Sequence, residues 1–415
     1  MEKKQLGAVS LLAGTAIGSG MISLPIVLIN FGIIGSLFLM IFFCWVTYIS
    51  AMVRCELNLN SQADFSLKDV GFLFGGKIAA NIGDISLKIL SFALLSAYIF
   101  GASSIIHSFL STDISFATII IIFIIIIFVM FLFFSNFLVK INKYLFVILF
   151  SFVLAGVIGL TFCSKTRVLP LGLIDIWHWK SWSTVTPIVF TSFGFQGSLH
   201  SLTKFVNNDR ELIKRACLWG GIIPVIVYSL WVVCVLTIIF NSDQASFQKM
   251  LINPINVSEL INILSRISNI QFLQQAVWIV SFLAILTSII GVGLALDEIL
   301  KKDLNLLNVK KSSSLLNFLK LRNISDRQKS CISLFIMIIP SAIVAIFVPN
   351  AFIRILNFAG IILAILAIIL PIFLFKRMKK SLPIKNSIFR KNFSINIIFI
   401  VGGLIIFLGF FDIFM

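Results

Sequence analysis

A chain of 415 residues that is 59% hydrophobic and 12% charged, with a mean hydropathy of +1.09, has too little polar surface for a soluble fold; ordinary globular domains carry about 25% charged residues. Its apolar residues come in long unbroken blocks such as Ile119 to Phe134, which excludes the short alternating segments of an outer-membrane barrel. The net charge of +17 does not call for nucleic acid, because its carriers collect in loops on one side of a membrane.

Apolar windows bounded by charge, Pro or Asn predict eleven transmembrane helices, at about 6–29, 33–55, 81–109, 116–135, 143–163, 184–205, 216–240, 272–300, 331–348, 351–375 and 395–414. Each is long enough for the roughly 30 Å of a hydrocarbon core, so the chain reads as an all-α polytopic membrane protein. With the N-terminus inside, 26 of the 33 Lys and Arg fall in inner segments and six in outer ones, with Lys88 inside the third span. That bias puts the N-terminus in the cytoplasm and the C-terminus outside, and anionic lipid headgroups add to the attraction. Lys3-Lys4 before an apolar stretch imitates a signal peptide but has no clear cleavage site, so the segment is expected to be kept. The six cysteines lack metal-ligand spacing and read as small hydrophobes. Trp177, Trp179 and Trp182 mark an interfacial anchor in an outer loop; the loops 241–271 and 301–330 have room for short surface helices, Leu315 to Leu321 being amphipathic.

Two spans are poor helices at their midpoints. The first reads Gly14-Thr15-Ala16-Ile17-Gly18-Ser19-Gly20-Met21, followed by Pro25. The sixth runs from Pro187 through Phe193-Gly194-Phe195-Gln196-Gly197 to His200. Each Gly costs about 1 kcal/mol against Ala within a helix, and unwound backbone at membrane depth needs protein or a wet cavity around it. Gly14 and Gly18 also form a G-x-x-x-G pair suited to tight helix packing. Placement favours a binding site. Span one opens the chain and span six opens a second set of five. Five is odd, so the second set enters the membrane from the opposite side. Paired interruptions in inverted repeats mark a transporter's site. The expected architecture is a five-plus-five inverted repeat with discontinuous helices one and six and an added eleventh helix. Its units are a first repeat at 1–163, an inverted second repeat at 184–375, and a basic loop with the last helix at 376–415.

Each break frees N–H groups at one half-helix and C=O groups at the other. The former attract an anion and the latter a cation. A zwitterionic amino acid carries both charges and can use both ends. No ionisable residue lies at the centre of any span, Asp84, Lys88, Asp297, Glu298, Arg354 and Asp412 all falling near helix ends, so a neutral side chain is expected of the substrate. Phe193, Phe195 and Tyr98 are candidates for an aromatic wall. A membrane enzyme would need a nucleophile–base set or metal ligands. Three histidines (His107, His178, His200) and no H-E-x-x-H, G-x-S-x-G or Walker sequence supply neither, and no cofactor is implied.

At these residues the chain resembles the hydroxy/aromatic amino acid permeases, a bacterial branch of the amino acid–polyamine–organocation superfamily. The matching stretches are G-T-A-I-G-S-G-M-I-S-L-P (14–25), S-A-Y-I-F-G-A-S-S-I (96–105), F-T-S-F-G-F-Q-G-S-L-H-S-L (190–202), T-S-I-I-G-V-G-L-A-L-D (287–297) and V-P-N-A-F (348–352). The resemblance implies uptake of tyrosine, tryptophan or phenylalanine across the cytoplasmic membrane, driven by an ion gradient, generally of protons. It assigns the substrate carboxylate to backbone at Ser19, Gly20 and Met21, within a site spanning Thr15, Ile17, Gly18, Tyr98 and Gly197. Phe193, Gly194, Phe195 and Gln196 would flank the amino group and side chain. Ala284, Thr287 and Ser288 resemble the sodium-ligand pattern of relatives sharing the fold, with carbonyls of Gly14 and Ile17 completing it. Their other reading is hydroxyls bonded to their own helix, so H+ and Na+ both stay open. Another neutral amino acid, serine, threonine or a branched-chain one, and a sensor that binds without carrying, are the alternatives. His200 stands where the family usually has Pro, and Asp84 and Lys88 are unusual for it; these two would pair at i, i+4.

Overall fold

A computed structural model describes residues 2–61, 67–110, 114–163, 168–171, 179–252, 255–267, 271–309, 326–348, 351–381 and 393–414. His178, Trp177 and the segment Leu315 to Leu321 lie outside the described residues, as do the side chains of His200 and Lys204. All regular structure among them is helical.

The helices are α1 (Glu2–Ala16), α2 (Gly20–Leu28), α3 (Gly32–Asn60), α4 (Leu67–Leu110), α5 (Phe116–Cys163), α6 (Trp179–Ser192), α7 (Leu199–Phe205) and α8 (Arg210–Ser242). They continue with α9 (Gln244–Ile252), α10 (Val257–Ile267), α11 (Gln271–Val309), α12 (Asp326–Phe347), α13 (Ala351–Ala364), α14 (Leu370–Ser381) and α15 (Phe393–Phe414). Eight helical runs among the described residues are long and apolar enough to cross a membrane, against the eleven spans expected. The difference has a physical origin. The two expected spans with breaks are divided into pieces of 15 and 9 residues, and of 14 and 7. Nor does a loop separate the expected fourth and fifth spans, since helical backbone runs through Phe116–Cys163.

Two glycines turn the chain where other residues would strain. Gly32, at φ 60°, reverses it between α2 and α3, and the Ser36 hydroxyl there lies 2.5 Å from Gly32 O and 3.2 Å from Leu28 O as donor. Gly76, at φ 75°, folds the start of α4 back on itself. Lys68 thereby comes within 3.1 Å of Asp84, sixteen residues on, a separation that a straight helix would stretch to about 24 Å. The expected Asp84–Lys88 pair, at 2.9 Å, is thus part of a larger network that takes in Lys68 and, through Lys88, Asp303 of α11. The second expected span, 33–55, runs on in α3 to Asn60, with Arg54 and Glu56 buried in it; Arg210 meets Glu56 at 3.5 Å.

Packing divides the helices into two groups. One holds α1, α2, α3, α6, α7 and α8; the other holds α4, α5, α11 and α12. The helical run of α13 and α14 packs on both, through α4 and α6 and through α3. Between α13 and α14, residues Ile365–Ile369 form a π-helical bulge, where Ser50 donates to Ala367 O at 2.5 Å.

Candidate functional site

The first interruption covers Ile17, Gly18 and Ser19. Here the Met21 N–H turns back to Gly18 O, and the Ile22 and Ser23 N–H groups both reach Ser19 O, each at 3.0 Å. Among the described residues, the N–H groups of Ser19 and Gly20 at the start of α2 have no acceptor. The C-terminal end of α1 is answered from α8. The Tyr228 hydroxyl lies 2.7 Å from Ala16 O and 3.3 Å from Ser192 O as donor, and accepts from the Gly18 N–H at 3.4 Å. One hydroxyl therefore ties together the last turns of α1 and α6, the two helices that stop at mid-chain breaks.

Proline chemistry explains two further contacts. Pro25 has no N–H to offer Met21 O, four residues before it. The Trp231 indole N–H donates to that carbonyl instead, at 2.6 Å. Pro187 likewise leaves Ser183 O without its helical donor, and the Asn357 amide reaches it at 3.4 Å. Asn357 also donates to the Asp412 carboxylate of α15, which accepts from Thr184 at 2.5 Å and Ser183 at 3.3 Å.

The second interruption follows Ser192. Phe193 and Gly194 close two tight turns onto Phe190 O and Thr191 O, at 3.2 and 2.9 Å. A short 3₁₀ turn, Gln196–Ser198, then leads into α7. Phe193 and Phe195 are buried, and Phe193 meets the Tyr228 ring edge-on, with centroids 5.6 Å apart. Gln196 is fully buried at 0% exposure, yet neither its Oε1 nor its Nε2 has a partner among the described residues. Gly197 is exposed, with open space where a Cβ would stand.

The structure therefore brings Ile17, Gly18, Ser19, Gly20 and Met21 beside Phe193 through their shared contact with α8. Gly20 is held against the second break, where a Cβ would lie 2.5 Å from Tyr228 Oη and 2.9 Å from Ser192 Cβ. Gly18 presses on α11, where a Cβ would come within 2.2 Å of Ser288 Oγ. Tyr98 of α4 is buried and interacts with the side chains of Ser19 and Ser288. Thr15 departs from this set. It is exposed, and its hydroxyl donates to Leu12 O at 2.9 Å within its own helix. Met21 contributes less than expected too, its N–H being taken by Gly18 O. Gly14 is half-buried in α1. Thr287 and Ser288 both donate to Ala284 O, at 3.1 and 2.9 Å.

Tyr228, Trp231 and Asn357 escaped the sequence reading, which placed Asp412 only as an ionisable residue near a helix end. A signal existed for the first two, since a Tyr or Trp buried deep in an apolar helix needs a partner for its O–H or N–H.

Interrupted helices bridged by a third, inside an all-helical membrane protein, define the class: an integral membrane transporter. Residues 1–409 match the model of the tryptophan/tyrosine permease family, and the chain belongs to that family. It is a transporter and no enzyme. The tyrosine-specific transport system 1 of Haemophilus influenzae is 26% identical over 412 residues, covering 97% of this chain and 95% of the relative. The tryptophan-specific transport protein of Pseudomonas aeruginosa is 27% identical, covering 90% of this chain and 86% of the relative. Glutamine transporter 2 of Aliivibrio fischeri is 25% identical, covering 92% and 91%. Among solved structures, a mutant form of the manganese transporter of Eremococcus coleocola superposes with a TM-score of 0.60 at 13% identity. That match covers 97% of this chain and 84% of the other and shows a shared fold.

Proposed function

We propose that the protein imports an aromatic amino acid, tyrosine, tryptophan or phenylalanine, across the bacterial cytoplasmic membrane by proton-coupled alternating access. The observation that carries this reading is the pair of breaks joined at Tyr228. The free N–H groups of Ser19 and Gly20 suit a carboxylate at a helix N-terminus. The turn at Gly194 to Gly197 offers carbonyls for the ammonium group, beside the rings of Phe193, Phe195 and Tyr98. The names of two relatives, a tyrosine and a tryptophan transporter, agree with an aromatic side chain; the glutamine transporter keeps another neutral amino acid as the alternative.

In this reading the spans number eleven and the two sets of five are inverted, with the N-terminus cytoplasmic and the C-terminus external. The group of α1, α2, α3, α6, α7 and α8 rocks against α4, α5, α11 and α12, and the breaks serve as hinges. The proton is favoured as the coupling ion by the state of the sodium-like site. A carbonyl has two lone pairs, and that of Ala284 already receives the Ser288 hydroxyl and the Thr287 hydroxyl, the latter shared with Leu283 O.

The test is uptake of radiolabelled tyrosine, tryptophan and phenylalanine into proteoliposomes, with pH and sodium gradients imposed separately. A pH gradient alone is expected to drive accumulation. Absence of gradient-driven uptake and of counterflow for every neutral amino acid defeats the proposal; accumulation on sodium alone reassigns the ion.

A further inference from the structure

Gln196 is out of keeping with its surroundings. It is completely buried, and both atoms of its amide are unpaired among the described residues. The large majority of buried side-chain polar atoms in folded proteins have a partner, because an unmade hydrogen bond forfeits the solvation that burial removed. Neighbouring polar side chains at the breaks are engaged. Tyr228 contacts three backbone groups, Ser288 donates to Ala284 O, and Ser192 and Thr191 donate back to Ile188 O and Pro187 O. Replacing Gln196 by an apolar residue would remove the cost of burying an unpaired amide without breaking a hydrogen bond among the described residues. Its position argues that the amide is held for something absent. It opens the 3₁₀ turn right after the Phe193–Phe195 break, and next to it the backbone of Gly197 faces open space.

We infer that Gln196 determines which side chain is accepted: a neutral amino acid whose tip both donates and accepts a hydrogen bond. The inference rests on the proposed function and narrows it. An amide offers one acceptor oxygen and one donor nitrogen. A phenol fills both, giving its proton to Oε1 and receiving one from Nε2. An indole N–H fills Oε1 alone and leaves Nε2 stranded. A phenyl ring fills neither and seals both away from water. Sites built around a polar substrate group reject the analogue that lacks it, because their own groups are then left unpaired. The ranking that follows is tyrosine, then tryptophan, then phenylalanine. The primary amide of glutamine would satisfy the same two atoms, though without filling the space between the aromatic rings.

The experiment is competition in proteoliposomes containing the full chain, against whichever labelled amino acid shows counterflow. Competitors are tyrosine, O-methyltyrosine (acceptor only), tryptophan (donor only), phenylalanine (neither) and glutamine (both). In the wild-type protein, tyrosine should compete roughly 100-fold better than phenylalanine, with O-methyltyrosine and tryptophan between them. Gln196→Leu should bring the four aromatic compounds to within about threefold of one another, by removing both polar atoms that tell them apart. The same variant should melt at a higher temperature than wild type when no amino acid is present. If glutamine matches tyrosine, the donor–acceptor rule holds and the tip is an amide as readily as a phenol. Equal competition by tyrosine and phenylalanine in wild type overturns the inference, as does a Gln196→Leu protein that keeps the wild-type order. Should Gln196→Leu not fold, the wild-type order alone decides. Lack of counterflow for any neutral amino acid overturns the proposed function instead, so the two failures are told apart.

Discussion

At the first break three residues interrupt the helix, and a neighbouring helix takes up most of what they release; at the second, the chain turns on itself and leaves a side chain unspent. Tyr228 and Trp231 come from one face of α8 and engage Ala16, Gly18 and Met21. The second break is closed by local turns at Phe193 and Gly194, and then holds Gln196 buried without partners. The contrast points to a division of labour. In the proposed reading the first break is a fixed scaffold, and its remaining N–H groups would meet a feature common to all amino acids. In the same reading, the second would keep its hydrogen-bonding capacity for the part of the substrate that varies.

The largest effect is expected where the two breaks touch. Gly20→Val puts a branched side chain where Tyr228 Oη and Ser192 Cβ already stand. Counterflow of any amino acid should fall at least roughly 100-fold, while overpacking costs about 1–3 kcal/mol of stability and leaves protein to purify. A Gly20→Val protein with normal counterflow would mean that this glycine only packs. Next comes Tyr228→Phe, which keeps the ring against Phe193 and strips the hydroxyl from Ala16 O, Ser192 O and the Gly18 N–H. Leaving buried backbone groups unpaired costs about 1–3 kcal/mol, to be read as a lower melting temperature with transport reduced for all substrates alike. A change in substrate order instead would erase the distinction between the breaks.

Asp412→Ala should act more weakly and on one break only. It removes the acceptor shared by Asn357, Thr184 and Ser183, loosening α6 from α13 and α15. A loss of about 1–2 kcal/mol in thermal stability is expected, with the first break, probed by protection of α1 and α2 from hydrogen exchange, unchanged. The smallest effect lies outside the membrane, between α8 and α9. The Ser246 hydroxyl and N–H hold the Asp243 carboxylate below its ordinary 3.8, outweighing the upward push of burial, and Arg266 assists. Since the folded chain releases this proton more readily than the unfolded one, the stabilisation is full above about pH 4. It fades as pH falls through the folded value. Asp243→Ala should flatten a melting-temperature profile only below that point, with transport at neutral pH untouched.

Much of the fold was legible because lipid makes strict local demands. The apolar blocks, the Lys and Arg bias, and the Gly, Ser and Thr cluster at 14–20 are each visible within a window of about 20 residues. What stayed hidden depends on residues far apart in sequence. The hydroxyl of Tyr228 reaches back 212 residues to Ala16, and nothing in the apolar run of α8 says where its partner lies. Lys68 finds Asp84 only because Gly76 reverses the chain. Thr15 shows the converse difficulty. It stands inside the right motif, but helical rotation carries it to the exposed side. The count of spans differs for a related reason, because hydropathy registers apolar length and not helical continuity.

The sequence by itself determined a helical membrane protein with its breaks near residues 17 and 195, since glycine cost and backbone desolvation act residue by residue. Only the tertiary structure decided that α8 would join those breaks through one hydroxyl, and that Gln196 would be buried with both polar atoms unsatisfied. Hydrogen bonds between distant helices depend on which faces meet, and that is settled when the helices pack.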